Sequence, residues 1–181
     1  MKKILNLGLV FLTILFAGCS SDDGIDNNSN NSASATINGT AWNATKVNSV
    51  TLIKVKSENQ QRFDINIQDN SQMLSLACVS SLTTTDVMPL KAYSFDEDND
   101  DMDALFINTY LIDGNTYTEH FVKTGKITIT SMDADKKTVS GTFSFTSEKV
   151  GTLQTKVVTP NIVEVKNGVF TNLSYKVITT P

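Results

Sequence analysis

The sequence predicts an all-β protein, and three observations support this class. Apolar and polar residues alternate with a period of two in several windows, Thr, Val and Ile are abundant, and turn-forming pairs separate the windows. The segments after the N-terminal leader lack the periodicity of an amphipathic helix. Many short strands joined by tight turns are typical of sandwiches and barrels, so we expect a single antiparallel β-sandwich of about ten strands. A lipocalin-like closed or partly closed β-barrel is the alternative.

The expected strands follow from this alternation. Phe63–Gln68 alternates cleanly, and Val139–Thr146 places apolar side chains on one face with Ser and Thr on the other. The segments Gly141–Phe143 and Gly168–Phe170 share a Gly-x-Phe pattern, which we interpret as two strand starts. Strands are expected over residues 35–38, 40–45, 48–56, 62–68, 73–80, 103–112, 115–121, 125–131, 138–147 and 169–178, with a weaker one over 153–165.

Four turns are expected between these strands. Asn38-Gly39 is a strong hairpin signal because both residues tolerate positive φ. Asp113–Asn115, Asp133–Lys137 and Asn167-Gly168 have similar composition and separate the later strands. A short helical turn is conceivable only over Ser81–Asp86, where three threonines are poor helix formers.

The N-terminus predicts export. Lys2 and Lys3 precede an apolar stretch that is well short of the roughly 20 residues needed to span a bilayer, so residues 1–18 are interpreted as a signal peptide. Phe16–Cys19 resembles the lipobox of bacterial lipoproteins, with Phe16 where Leu is commonest. The resemblance implies that lipid on Cys19 holds the protein at a membrane. The alternative is an ordinary signal peptide with an incidental cysteine.

An acidic pair follows that cysteine. Asp22 and Asp23 resemble the export signal that directs Bacteroidota lipoproteins to the outer face of the outer membrane. The resemblance implies an outer-membrane location facing the cell exterior, and the periplasmic face is the alternative. Without such a role, the two residues simply begin a solvated linker.

The rest of the chain divides into a tether and one domain. Residues 19–34 are mostly Ser, Asn and Asp, which cannot offset the entropy of ordering, so they predict a flexible tether. Residues 35–181 are long enough for one all-β domain. The formal net charge of −4 and the lack of a basic cluster argue against nucleic acid as a partner. Cys78 lies in an apolar run and predicts a buried, unpaired thiol.

Four segments of the domain look like an uncharacterised family of Bacteroidota lipoproteins. They are residues 35–42, 125–130, 137–145 and 166–173. The shared features are turns, alternating strands and a Trp near the first hairpin. The family has no assigned activity, so the resemblance implies a location and a fold and no catalytic residue.

An acidic segment is the sharpest local feature. Six carboxylates fall within the eight residues that begin at Asp96. Asp96, Asp98 and Asp100 alternate as calcium ligands do, and Asp101 adjoins them. The EF-hand pattern fails, since Asp101 replaces its turn glycine. We expect no cofactor, with calcium at these four residues as the alternative to a solvated acidic loop.

His120 is the only histidine, which excludes multi-histidine metal sites. We interpret it as a surface or edge residue, and we assign no catalytic residue. Trp42 is expected in the core. Four tyrosines are the remaining aromatic candidates for contacts with a glycan, at positions Tyr93, Tyr110, Tyr117 and Tyr175.

Three functions remain open. The favoured one is a membrane-anchored, non-catalytic binding domain for a small apolar ligand, a glycan or a surface protein. The second is a hydrolase that uses Asp or Glu with His120. The third is a structural envelope-assembly protein with exposed apolar edge strands.

Overall fold

Alternating side chains fold the chain into strands throughout the part that the structure describes. The computed structural model describes residues 31–112, 115–149 and 160–181, and of residues 108–112 and 115–119 it describes only the backbone. The strands are β1 (Ser32–Ile37), β2 (Thr40–Asn43), β3 (Lys46–Val55), β4 (Gln60–Gln68), β5 (Gln72–Ser81), β6 (Ala92–Phe95), β7 (Met102–Ile112), β8 (Asn115–Asp133), β9 (Thr138–Lys149), β10 (Ile162–Ser174) and β11 (Lys176–Thr180).

The described strands form one open sheet. Its order is β11-β3-β4-β5-β7-β8-β9-β10-β1-β2, and β6 pairs with the second half of β8. Neighbouring strands are antiparallel except for the parallel pair β11 and β3. The expected all-β class and the approximate strand number are confirmed. The closed barrel is wrong, because β2 and β11 remain the two edges of the sheet.

The sheet folds over a single hydrophobic core. Ala44 donates its amide to Ala33 of β1, and the next residue, Thr45, donates to Gln68 of β4, so two residues connect opposite parts of the sheet. Tyr175 alone joins β10 to β11 in the same way. Its ring meets Phe63 of β4 edge to face, with centroids 6.0 Å apart. The two halves of the continuous sheet therefore take the place of the two sheets of a sandwich.

Three strand boundaries differ from expectation. Two expected strands form the single long strand β8, which pairs with β7 in its first half and with β6 in its second. The expected last strand divides at Tyr175, where the chain changes partners from β9 to β3. β6 was not expected, since its four residues are too short to show a period. Of the weak strand expected over 153–165, residues 162–165 form the start of β10, and residues 153–159 lie outside the described part.

Two turns are confirmed and one is wrong. Asn38 and Gly39 have φ values of 48° and 82° and join β1 to β2. Asp133–Lys137 joins β8 to β9. Asn167-Gly168 lies inside β10, where the ladder with β9 shifts register and forms a β-bulge. A bulge and a turn both accept a residue with positive φ such as Asn167, so the sequence Asn-Gly alone does not distinguish them. Asp113-Gly114 lies outside the described residues.

A loop covers one end of the folded sheet. This cap loop, residues 82–91, contains bends, and no helical turn forms over Ser81–Asp86. Met88 inserts its side chain into the core and is 1% exposed. Gln61 of β4, also buried, donates its side-chain amide to Val87 O and accepts a hydrogen bond from the amide of Thr83.

The predicted signal and lipidation residues Cys19, Asp22 and Asp23 lie outside the described residues. β1 begins at Ser32, within the segment that the sequence assigns to the tether. Among the described residues, no helix has the length and hydropathy needed to span a membrane.

Candidate functional site

The outward face of β8, β9 and β10 carries a serine with one lysine on each side of it. Alternate residues of a strand point to opposite faces, so Phe143 of β9 is buried while Ser144 is exposed. Lys126 of β8 is paired directly with Ser144. On the other side, Ser144 lies opposite Lys166 and Asn167 of β10. These residues form one row across three strands.

Pairs of threonines flank this row, one pair on each side along the strands. Thr128 pairs with Thr142 on one side, and Thr124 pairs with Thr146 on the other. Small hydroxyl side chains between longer lysines leave a depression in the surface. We call this surface the lysine–hydroxyl face, which comprises Lys126, Ser144, Lys166, Asn167, Thr124, Thr128, Thr142 and Thr146.

The β-bulge shapes this face. Between the pairs Val165–Phe145 and Gly168–Phe143, β10 has two residues where β9 has only Ser144. Asn167 adopts a φ of 53°, and both bulge residues are exposed. Bulges redirect side chains and often occur at binding sites. Here the bulge adds an amide beside the ammonium group of Lys166.

Two adjoining depressions lie on the lysine–hydroxyl face. One has a volume of about 580 Å³ and reaches from Lys126 to Val169. The other has a volume of about 350 Å³ and reaches toward Asp96. Both are lined by Lys126, Ser144 and Lys166, so they form one continuous groove.

Two carboxylates lie beside the lysines. The Nζ atom of Lys166 is 2.7 Å from Oε2 of Glu164, and both side chains are well exposed. Asp96 lies at the rim of the groove, on the side of Lys126. Hydrogen bonds from the Asn99 side chain and from the backbone amides of Asp98 and Asn99 lower the pKa of Asp96. The groove thus contains two cations within reach of two anions.

Paired Gly and Phe residues form the layer beneath the groove. Gly168 and Gly141 are paired with Phe143 and Phe170, so the two Gly-x-Phe segments face each other in antiparallel register. The Phe143 and Phe170 rings stack with centroids 6.4 Å apart. The interpretation of these segments as strand starts is wrong, because Gly168 lies in the middle of β10 and Gly141 lies inside β9. The glycines leave room for the rings under the sheet.

The candidate calcium residues have separate roles. Asp96 stabilises the turn that it begins, because its Oδ1 accepts hydrogen bonds from the backbone amides of Asp98 and Asn99 at 3.0 and 2.9 Å. Asp98 and Asp100 are exposed. In the part of the chain with described side chains, no three His, Cys, Asp or Glu residues form a group that could hold a metal.

Asp101 is held by two partners within the protein. Its Oδ1 accepts the amide of Ser94 at 2.6 Å, and its Oδ2 lies 2.8 Å from Nζ of Lys91. Calcium at the acidic segment stays a prediction. A rise in melting temperature on adding calcium, lost in Asp98→Asn, would support it.

His120 is fully buried, so the prediction of a surface or edge position is wrong. Its Nε2–H group donates to the carbonyl oxygen of Pro160 at 2.7 Å. Its ring meets Phe106 of β7 edge to face at 5.5 Å. Nδ1 is buried and has no hydrogen-bond partner within the described part of the chain. The ring joins the segment before β10 to the core.

A second charged cluster fixes the cap loop. Asp86 lies 3.2 Å from Nζ of Lys54 and 2.9 Å from Nζ of Lys137. Hydrogen bonds from Lys137 and Lys54 lower the pKa of Asp86. Tyr175 donates its hydroxyl proton to the carbonyl oxygen of Asp86 at 2.6 Å, and burial raises the pKa of Tyr175 to about 12. Tyr175 thus stays protonated at neutral pH and acts as a structural donor.

The described aromatic candidates are core residues. Trp42, as expected, is buried, and Tyr93 and Tyr175 are buried as well. The side chains of Tyr110 and Tyr117 lie outside the described part. Cys78 is buried as predicted, and this burial raises the pKa of its thiol. Glycan stacking on Trp42, Tyr93 or Tyr175 is excluded by their burial.

Comparison with known families assigns the chain. The family model of a domain of unknown function, DUF6252, matches residues 29–174, which is about four-fifths of the chain. The chain belongs to the DUF6252 family. No curated protein and no solved structure shows significant similarity to it. The family match covers nearly all the described strands of this DUF6252 domain, including the whole lysine–hydroxyl face.

Sequence reasoning missed the lysine–hydroxyl face. Lys126 and Lys166 are 40 residues apart in the sequence, and only the register brings them together. One signal for this register was present in the sequence, because two Gly-x-Phe segments can pair in antiparallel strands so that each glycine faces a phenylalanine. That pairing places Ser144 opposite Lys166 and Asn167.

Proposed function

We propose that this DUF6252 protein is a lipid-anchored lipoprotein of the outer membrane, facing the cell exterior, whose β domain binds a ligand or partner without catalysis. The groove on the lysine–hydroxyl face carries the binding part of the proposal. There, two cationic side chains, an amide and several hydroxyl groups converge along two adjoining depressions.

The anchoring part rests on the leader, the lipobox resemblance at Cys19 and the acidic pair Asp22 and Asp23. Each buried methylene of an acyl chain contributes about 0.8 kcal/mol, and stable anchoring takes more than one chain. The acidic composition supports lipid, rather than a basic surface, as the means of attachment. The periplasmic face of the membrane is the alternative location.

The geometry favours a binding role over the two other functions. A hydrolase using His120 needs that ring within reach of substrate, and the ring is 0% exposed with Nε2 bound to Pro160. An envelope-assembly role needs a large exposed apolar patch. In the described part, the exposed large apolar side chains are spread over three elements, namely Leu90 in the cap loop, Ile162 and Val169 on β10, and Ile178 on β11.

A ligand inside the domain is also disfavoured. The inward face of the sheet forms one cluster of buried side chains rather than a barrel lumen. A small apolar ligand would have to displace this packed core. A ligand on the outer groove displaces only solvent, which favours a glycan or a surface protein.

Two measurements on intact cells test the proposal. Incorporation of radiolabelled fatty acid is expected in the wild type and absent in Cys19→Ala. A photo-reactive amino acid at Ser144 is expected to form a covalent adduct on the cell surface, whereas one at exposed Ser49 of β3 should not. Lipid incorporation into Cys19→Ala would contradict the anchor, and equal adducts from both positions would contradict the binding site.

A further inference from the structure

We propose that the lysine–hydroxyl face binds a polysaccharide that carries carboxylate groups. This inference rests on the proposed binding function and names its ligand class. It follows from the spacing of the two lysines, the hydroxyl groups between them and the backbone pairing of the strands.

The two lysines are placed to hold two carboxylates of one chain. Lys126 on β8 and Lys166 on β10 both lie beside Ser144 of the strand between them. Neighbouring strands are about 4.8 Å apart, which separates the two lysine Cα atoms by about 10 Å. An acidic polysaccharide lying across the strands can place one carboxylate at each ammonium group, and charged hydrogen bonds of this kind are the strong ones.

The side chains between and beside the lysines suit sugar hydroxyls. Ser144, Thr142 and Thr146 project from β9 toward solvent, and Asn167 adds a side-chain amide. A hydroxyl both donates and accepts hydrogen bonds, as sugar hydroxyls also do. The described lining of the groove has no exposed aromatic ring, so charge and hydrogen bonds rather than stacking would select the sugar.

An extended peptide fits this surface less well. Peptides that add to a sheet need an edge strand with free backbone groups. In this region β8 pairs with β6 and β9, and β10 pairs with β9 and β1. Outside the bulge at Lys166 and Asn167, the backbone groups of the groove strands are therefore paired within the sheet, and side chains are the main groups that remain for recognition.

Glu164, the carboxylate beside Lys166, provides an independent test. Glu164 pairs with Lys166 in an exposed ion pair, which contributes little and can be displaced by another anion. Its negative charge also repels an acidic ligand. Removing this charge in Glu164→Gln is expected to strengthen binding about twofold to fivefold.

The experiment measures the affinity of the full chain, purified in detergent, for a galacturonic acid oligosaccharide by calorimetry. Binding is expected to weaken about tenfold or more in Lys126→Gln/Lys166→Gln, in line with the loss of two charged hydrogen bonds. Lys46→Gln/Lys56→Gln removes the same charge from exposed positions on and after β3 and is expected to bind as the wild type does. A neutral galactose oligosaccharide should bind far more weakly than the acidic one.

Three results would overturn the proposal. Poly-glutamate binding as tightly as the acidic oligosaccharide would show that charge alone is recognised. Equal loss in both double variants would show an effect of net charge, and an absence of binding would exclude this ligand class. In each of these cases the adduct at Ser144 on intact cells can still form, so the proposed binding function is tested separately.

Discussion

The ring of Phe143 on β9 lies against the Cα atom of Gly168, its directly paired neighbour on β10. A Cβ atom at position 168 would lie 2.5 Å from Cδ2 of that ring, well inside van der Waals contact. At the reciprocal pair, a Cβ atom at position 141 would meet the backbone carbonyl oxygen of Thr128 first and would lie 2.5 Å from Cζ of Phe170. Glycine thus makes room for an aromatic ring at both positions, and the rings fill the core beneath the groove.

Replacing Gly168 with Ala is expected to destabilise the protein by about 1–3 kcal/mol, because the new methyl group overpacks the core against Phe143. Urea denaturation of the wild type and the variant measures this loss. The double variant Gly168→Ala/Phe143→Leu should lose less than the sum of the two single variants, since the smaller side chain relieves the contact. Additive losses would contradict direct contact between the two positions.

The bulge at Asn167 gives a second prediction. Its φ of 53° is unfavourable for a β-branched residue, so Asn167→Val should destabilise the protein by about 1–2 kcal/mol, while Asn167→Gly should be nearly neutral. Thermal melting of both variants measures the difference. Equal melting temperatures would mean that the chain does not keep the bulge in solution.

The cap loop predicts a dependence of stability on pH. Lys137 and Lys54 lower the pKa of Asp86, so its ionised form stabilises the fold above the ordinary value of 3.8, and this contribution is lost as the pH falls through the lowered pKa. Solvent screens this partly exposed carboxylate, so Asp86→Asn should cost only about 0.5–1 kcal/mol at pH 7 and make the acid side of the stability profile less steep. Melting temperatures measured from about pH 7 down to about pH 2, which extends below the ordinary carboxyl pKa, check both effects.

Asp64 provides a control of opposite sign. Burial raises its pKa, and Arg62 only partly opposes this effect. Ionised Asp64 therefore opposes folding at neutral pH, and protonation restores stability as the pH falls through the raised pKa. Asp64→Asn should raise the melting temperature at pH 7 while Asp86→Asn lowers it. Shifts of the same sign would contradict the assignment of one or both carboxylates.

His120 gives a prediction about the segment before β10. His120→Leu removes the hydrogen bond from Nε2–H to the carbonyl oxygen of Pro160, which should cost about 0.5–1.5 kcal/mol because Pro160 is exposed and water can replace the lost donor. His120→Gln, which keeps a side-chain N–H donor, should recover part of this loss. Chemical denaturation compares the three proteins. Equal stability of His120→Leu and the wild type would exclude a structural role for this bond.

The sequence predicted local structure well and partner choice poorly. The alternation in Phe63–Gln68 reports which face of a strand is buried, and that is a local property. Asn167-Gly168 has the composition of a turn, but pairing with β9 makes it a bulge within one strand. His120 lies in a polar segment, and burial by Phe106 and Pro160 depends on contacts that the sequence does not show.

The candidate site depended on register, which explains why it was missed. Lys126, Ser144 and Lys166 each read as an ordinary exposed residue of an alternating strand. Only the pairing of three strands, together with the shift at Asn167, places them in one row. Buried aromatics such as Tyr93 were more visible in the sequence, and they stabilise the core instead.

The most direct test of the groove as the binding surface is chemical-shift mapping. A ¹⁵N-labelled full chain in detergent is titrated with the galacturonic acid oligosaccharide, and its backbone amide signals are followed. The largest changes are expected at Ser144, Lys166 and Asn167, with none in the cap loop at residues 82–91. Changes confined to the cap loop, or to the hairpin at Asn38 and Gly39, would contradict the assignment of the lysine–hydroxyl face as the binding surface.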